Sequence, residues 1–456
     1  MDRSVKAKSG TLMTEGPIAK QIVFFALPLL IGNVFQQLYN TVDSVIVGQF
    51  VGSDALAAVG SSGSIVNLIV SLLMGITLGS SVVISNYYGA RDLEHMERAI
   101  HTSISLGLIS GALISVVGII FSPQILIWMG TPSDVLDQSA LYLRIIFFGM
   151  IGSMLYNVGG SIFRAVGDSR HPLYYLIFAS LTNVVLDVLF VVVFKMGIAG
   201  AAWATIISQF LSAILTFAKL MKDKTEYQVH LKKIKIYKQE AILIIKIGIP
   251  SGIQNSVIAL SNVVVQANIN AFGAAAMAGC GAYVKLDGFA VMPAISFGMA
   301  LTTFVGQNLG AGKPDRMQRG AKFGILASMI TVEIAGIFLF IFAKPLISLF
   351  DSNPDVISYG VQMARTNSLF YMFLAGAHAM AGALRGAGKT KVPMFVMLAC
   401  WCLMRMTWIT VMIQFINDIH IVFMGYPITW IASMICFVIY YKKSNWVNKS
   451  RVGIKA

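Results

Sequence analysis

The sequence predicts an all-α polytopic membrane protein with twelve transmembrane helices in two parallel six-helix repeats. Three observations carry this: apolar runs of bilayer length, basic residues confined to alternate loops, and a second half that repeats the first. Of 456 residues, 57% are hydrophobic and 12% charged, with a mean hydropathy of +0.76. A soluble chain of this length needs far more polar surface to cover its cores. About twenty apolar residues cross a bilayer as a helix, and such runs recur along the whole chain.

The runs place spans at roughly 18–47, 54–86, 98–121, 136–160, 172–194 and 198–220, then 240–271, 275–306, 319–343, 356–382, 393–416 and 421–441. No interval between them is long enough for a soluble domain. The N-terminal MDRSVKAKSGTLMTEGP is polar and charged, without the apolar core and small-residue site of a removable signal peptide. Cys280, Cys400, Cys402 and Cys436 all fall inside apolar runs. The C-W-C pair lacks CxxC spacing, so these are expected to be packing residues and no metal is expected.

With both termini in the cytoplasm, 27 of the 34 lysines and arginines lie in cytoplasmic segments, and only Lys195 and Lys344 in outside loops. That asymmetry is the positive-inside pattern, and it predicts a multi-pass protein of the plasma (inner) membrane. The isoelectric point of 9.6 therefore reports topology. Basic residues spread over seven short segments do not build one nucleic-acid face. The expected partners are the lipid bilayer and small-molecule substrates, with no nucleic acid and no obligate protein partner.

Displacing the sequence by 221 residues aligns its halves. Gly52 meets Gly273, Gly89-Ala90 meets Gly310-Ala311, Met96 meets Met317, and Arg144 meets Arg365. Before Gly52 the displacement is 222, pairing Pro28 with Pro250, Asn33 with Asn255 and Asn40 with Asn262. The expected organisation is an N-terminal lobe (1–220), a basic cytoplasmic linker (221–240) and a C-terminal lobe (241–456). The register also settles LRGAGKTKVP (384–393), which looks like the end of a phosphate-binding loop. Position 383 is Ala where that motif needs Gly, and the twin segment FRAVGDSRHP shares only Arg, Gly and Pro. Both segments read as a turn between spans: basic anchor, helix stop, helix restart.

An even number of spans per half makes the repeats parallel, an architecture common in transporters. Acidic side chains inside spans mark functional sites by default, and four lie well inside them: Asp43, Asp187, Asp287 and Glu333. In span one, Gln36, Tyr39, Asn40 and Asp43 recur at helical spacing, as do Asn255, Asn262, Gln266 and Asn270 in span seven. Both stripes are expected to line a water-filled cleft. Asn183 and Asp187 stand four apart in span five, whereas their twin positions are Met404 and Trp408. The first half thus holds an Asp–Asp pair that the second lacks. Such a pair withdrawn from water can carry one proton, or hold a monovalent cation; neutral, hydrogen-bonded helix glue is the alternative. Lys285 is expected to pair with Asp287, or Arg405 with Asp287 or Glu333. His378, twin of Asn157, reads as packing, and Tyr283, Phe289, Met292 and Met299 as the wall of an apolar pocket. Pro28 is positioned to hinge span one.

LYNTVDSVIVGQFVG, NYYGARD with its twin GQNLGAGKPD, FRAVGDSRHP with LRGAGKTKVP, TNVVLDVLF and GIAGAAWAT together resemble the multidrug and toxic compound extrusion (MATE) transporters, across about residues 18–441. The resemblance implies two six-helix lobes forming a V-shaped cleft and alternating access. It also implies export of bulky, often cationic, amphipathic compounds in exchange for H⁺ or Na⁺, with no other cofactor. It assigns ion coupling to Tyr39, Asp43, Asn183, Asp187 and Thr205, and a bend to Pro28. Gln36, Asn40, Asn157, Asn255, Asn262, Gln266, Tyr283 and Met292 are then the expected substrate-cleft residues. A second branch of the family carries acids in spans seven and ten. Here span seven has Gln254, Asn255 and Ser256 and span ten has no acid, which moves the expected site to the first lobe. The competing reading is a flippase for a lipid-linked precursor, which needs a larger basic cleft. An enzyme would need clustered His, Cys or acidic motifs at a membrane face, and the sequence has none.

Overall fold

The stretches predicted to cross the bilayer are helical in the computed structural model, which describes residues 12–128, 131, 133–444 and 446–447. In chain order the helices are α1 (Ile18–Phe50), α2 (Ser53–Ala90), α3 (Leu93–Trp128), α4 (Ser133–Phe148), α5 (Met150–Ala165), α6 (Arg170–Asp187), α7 (Gly197–Lys222) and α8 (Lys238–Asn270). There follow α9 (Ala274–Gly310), α10 (Pro314–Ile341), α11 (Ala343–Ser348), α12 (Pro354–Ser368), α13 (Tyr371–Gly386), α14 (Lys391–Met397), α15 (Arg405–Phe415) and α16 (Ile419–Lys443). The starts of α2 to α6 recur 221 residues later as the starts of α9, α10, α12, α13 and α14. The duplication read in the letters is thus a duplication of helices.

Among the described residues ten helices are long and apolar enough to cross a membrane, and the pair α4–α5, bent by 44°, makes an eleventh. The pair α12–α13 occupies the matching place in the second half and completes two sets of six. Spans four and ten are therefore not the single helices expected. The break in the first falls at Gly149, where an added Cβ would lie 2.6 Å from Cβ of Ile206 on α7. Two spans change pitch: Val188–Val193 and Leu398–Met404 are π-helical. Asp187, the last residue of α6, stands where α-helix gives way to π. Such single-turn insertions cluster at functional sites.

Large apolar side chains point outward along α3 and α10, among them Leu113, Ile120, Ile334 and Ile341. Exposed rows of this kind suit hydrocarbon and would be a liability in water.

Compactness divides the chain differently from the repeat. One unit comprises Ile31–Gly252; the other joins Met13–Leu30 to the chain from Ile253 onward. The lobe boundary expected near 220–241 is not where the compact units part. Helix α1 runs unbroken through Pro28, and α8 through Pro250. Each changes unit in the turn after its proline. In the first unit the core gathers Val47, Leu126, Leu143, Phe147 and Ala201. The start of α8 lies against α2 through Gly75, Gly79, Gly248 and Gly252, where a Cβ on Gly248 would sit 2.6 Å from the Gly75 carbonyl oxygen. Small residues at i and i+4 on both helices allow this backbone approach. In the second unit the core gathers Phe304, Leu301, Tyr371, Phe423 and Phe437. The segment before α1 is strapped onto it: the Met13 N–H donates to Gln307 Oε1 (2.8 Å), and Lys313 Nζ donates to the Thr14 carbonyl (2.9 Å).

The twin turns behave as their Arg–Gly–Pro pattern predicts. Gly167 and Gly388 take φ of 86° and 72°. Asp168 N–H donates to the Phe163 carbonyl and Lys389 N–H to that of Leu384, closing each helix with a left-handed glycine. LRGAGKTKVP is a helix terminus and restart, with no strand before it. Only the first twin adds a carboxylate: Asp168 Oδ1 accepts from the N–H groups of Arg170 (3.0 Å) and His171 (3.2 Å). Burial pushes this carboxyl up, but the His171 ring and the two backbone donors outweigh it and hold it below the usual range. Its contribution, about 1 kcal/mol for such a cap, is present above the ordinary carboxylate range and lost as pH falls through the lowered value. Asp168→Ala should therefore lower the unfolding temperature at neutral pH, and the gap to the unmodified protein should close on acidification.

Candidate functional site

Within the first unit, α1, α4, α5 and α6 bring two carboxyls and three phenols together. Asp187 and Asn183, one turn apart on α6, are 0% and 1% exposed. Asp43 on α1 is partly buried, and it and Asp187 lie within electrostatic reach of each other. Tyr39, one turn before Asp43, lies within electrostatic reach of both acids and of Tyr156. Tyr142 on α4 lies within electrostatic reach of Tyr39, Asp43 and Asp187.

Protein groups leave several polar atoms of this cluster unpaired, while Tyr156 donates to the Pro172 carbonyl (3.2 Å). Both oxygens of Asp187, Oδ1 of Asp43 and both amide atoms of Asn183 are buried without a hydrogen-bond partner. Among the described residues no lysine or arginine forms an ion pair with either acid. An unpaired ionised carboxylate out of water is too costly to keep. The arrangement is tenable as a neutral acid, or with a small cation drawn to its oxygens.

The other residues singled out in the sequence distribute unevenly. On α1 the stripe divides: Tyr39 and Asp43 turn inward, while Gln36 and Asn40 are exposed. Thr205 on α7 donates its hydroxyl to the Ala201 carbonyl of its own helix (3.0 Å). Asn157 on α5 donates to the Ser153 carbonyl (2.9 Å) and lines a small cavity with Met74, Thr77 and Met154. In the second unit Asn262 is exposed and Asn255 half-buried, and Gln266 donates to Asn270 (2.8 Å). The inward polar face of α8 is instead that of Gln254 and Ser261; the Ser261 hydroxyl donates to the Trp401 carbonyl (2.7 Å). Tyr283 and Met292, expected on a cleft wall, are buried in the interior of this unit.

The expected charge pairs do not form. Residues two apart on a helix do not face each other, and Lys285 reaches away from Asp287 to lie 5.6 Å over the Phe350 ring. Arg405, 2% exposed, gives its guanidinium to Thr429 Oγ1 (2.9 Å) and lies 4.4 Å over Tyr426. Glu333 accepts from the Met372 N–H (2.7 Å), and His378 stands edge-on to Trp401. Sequence reading passed over Tyr142 and Tyr156, because a tyrosine in an apolar run gives no sign of facing an acid on another helix.

The MatE family model matches residues 28–189 and 250–409, one stretch in each half. A probable multidrug resistance protein, YpnP of Bacillus subtilis, is 30% identical over 435 residues, covering 95% of this chain and 97% of its own. A second from the same organism, YoeA, is 29% identical over 93% of each chain. Among solved structures, an outward-facing multidrug resistance MATE family transporter of the MOP superfamily superposes with a TM-score of 0.90 at 22% identity. That match covers 96% of this chain and 98% of the other.

Proposed function

The chain belongs to the MatE family of membrane transporters, and from that premise we propose that it is a secondary active antiporter. In this reading it exports drugs or other amphipathic, often cationic, small molecules in exchange for H⁺ or Na⁺ by alternating access. It is a multi-pass transporter and not an enzyme. The observation that carries the coupling is the unpaired acid pair Asp43 and Asp187 inside the first unit. Ion binding neutralises a charge that the surrounding helices otherwise leave exposed to a low dielectric. That gives the ion a differential affinity for two packings of the unit, as coupling requires.

Tyr39 and Asn183 supply the remaining donors and acceptors around the acids, and Thr205 and the exposed polar residues of α1 belong to the path beside them. Pro28 and Pro250 stand where α1 and α8 change unit, which supports a bend at those points during the cycle. The Lys and Arg asymmetry supports insertion in the plasma (inner) membrane with both termini cytoplasmic. The multidrug names of the relatives favour export of small molecules over flipping of a lipid-linked precursor.

Moving one charge through 100 mV supplies about 2.3 kcal/mol, to which an ion gradient adds. Cells or vesicles containing the protein are therefore expected to keep a fluorescent cationic dye out only while one gradient stands. Collapsing the proton and sodium gradients separately identifies the ion. Exclusion unaffected by either collapse refutes secondary antiport.

A further inference from the structure

The basic linker between α7 and α8 is fastened to its own unit by backbone groups. At one end the Val229 N–H donates to the Leu220 carbonyl (2.9 Å) on α7, and at the other the Tyr237 N–H donates to Thr102 Oγ1 (3.1 Å) on α3. Between them the His230 N–H donates to Nε2 of His101 (3.0 Å), whose Nδ1 lies 2.7 Å from the Glu97 carbonyl oxygen. His101 is 0% exposed. A carbonyl oxygen only accepts and a backbone N–H only donates. His101 therefore carries its single ring proton on Nδ1 and keeps the lone pair of Nε2 for the linker. A second proton has only Nε2 to occupy, where it points at the His230 N–H. The acceptor is then lost, and two donors face each other in a place closed to water. We propose that His101 is a pH-sensitive latch, which holds the linker to α3 while neutral and releases it when protonated.

The charged groups nearby leave the ring this role. On α3 the Glu97 carboxylate is taken by Lys233 Nζ (2.7 Å), and Arg98 pairs with Glu94. From the linker, the exposed His230 ring lies parallel to that of His101 at 6.5 Å; two charged rings at that spacing repel, which adds to release. Lys235 and Arg98 both lie over the Tyr237 ring. From α7, Lys219 pairs with Asp223 (2.7 Å), and at the start of α8 the buried Glu240 lies within electrostatic reach of Tyr87 on α2. Among the described residues His95, His171 and His420 each bond an aspartate, whereas no carboxylate pairs with His101. The proton enters when the exposed linker opens transiently, and it then opposes the linker's return, so acid shifts the balance toward release. The segment before α1 is held differently, by Gln307, Asn308, Lys313 and Arg316. It has no histidine, and acid leaves it in place. Release frees the chain leading into α8. An effect of this on export rests on the exporter reading above; release itself does not.

The test is hydrogen–deuterium exchange of the full-length protein in detergent from about pH 8 to about pH 5, where histidine titrates. Each rate is divided by that of an unfolded peptide at the same pH. The expected result is that protection of the His230 and Tyr237 amides falls about tenfold on acidification, while that of the Met13 amide holds. His101→Gln keeps an oxygen that accepts from the His230 N–H and takes up no proton, so protection becomes independent of pH. His230→Asn keeps the backbone donor and retains the transition. Protection that stays flat in the unmodified chain overturns the proposal, and that readout needs no variant. So does a transition that survives His101→Gln, or one that His230→Asn abolishes, which assigns the proton to the exposed ring. An equal loss at Met13 also overturns it, because the whole chain is then loosening. A dye-efflux failure with the transition intact counts against the exporter reading and leaves the latch standing.

Discussion

Asp43→Asn and Asp187→Asn each leave the protein folded and inserted but reduce ion-driven efflux to that of protein-free vesicles. Asparagine keeps the shape of aspartate and cannot exchange a proton or carry the negative charge that attracts a cation. Among the described residues both oxygens of Asp187 and Oδ1 of Asp43 accept no hydrogen bond, so the change deletes no formed contact at those atoms. Thermal stability should move by less than the roughly 1 kcal/mol that a typical hydrogen bond contributes. Separating the two readouts matters: unchanged stability with lost transport marks a coupling group, whereas lost stability marks helix glue. Wild-type efflux from either variant in loaded vesicles would refute the assignment.

Gly248→Leu destabilises the first unit and lowers its unfolding temperature by several degrees. At this position a Cβ already meets the Gly75 carbonyl oxygen at 2.6 Å and its carbon at 3.0 Å. The neighbour is backbone on α2, which cannot rotate away. Overpacking of this kind costs about 1–3 kcal/mol. The control is Gly281→Ala, on α9, where an added Cβ meets nothing within 4 Å. Alanine there is neutral, or stabilises by up to about 1 kcal/mol through helix propensity. Thermal unfolding of both variants in detergent checks the pair. Equal melting temperatures would mean that α8 does not touch α2 as described.

How much of the site was legible varies residue by residue. Asp43 and Asp187 could be named because an acid inside an apolar run is conspicuous wherever it points. That Tyr142 and Tyr156 join them was not legible, nor was the turning of Gln36 and Asn40 away from Tyr39 and Asp43. A stripe defined by three- and four-residue steps covers an arc wide enough to face two surroundings. The pairing expected for Lys285 with Asp287 failed for a related reason: proximity along a helix is not proximity around it.

By itself the sequence determined the helical class, the duplication, the loops and the turns at Gly167 and Gly388. Hydropathy, basic-residue placement and left-handed glycines are local properties, each readable over a turn or a span. Only the tertiary structure decided the breaks in spans four and ten, the exchange of α1 and α8 between units, and the glycine contact between α2 and α8. Those depend on how each helix is rotated about its axis and which neighbour it meets. Close packing of many side chains fixes that rotation, and no single stretch of sequence contains it.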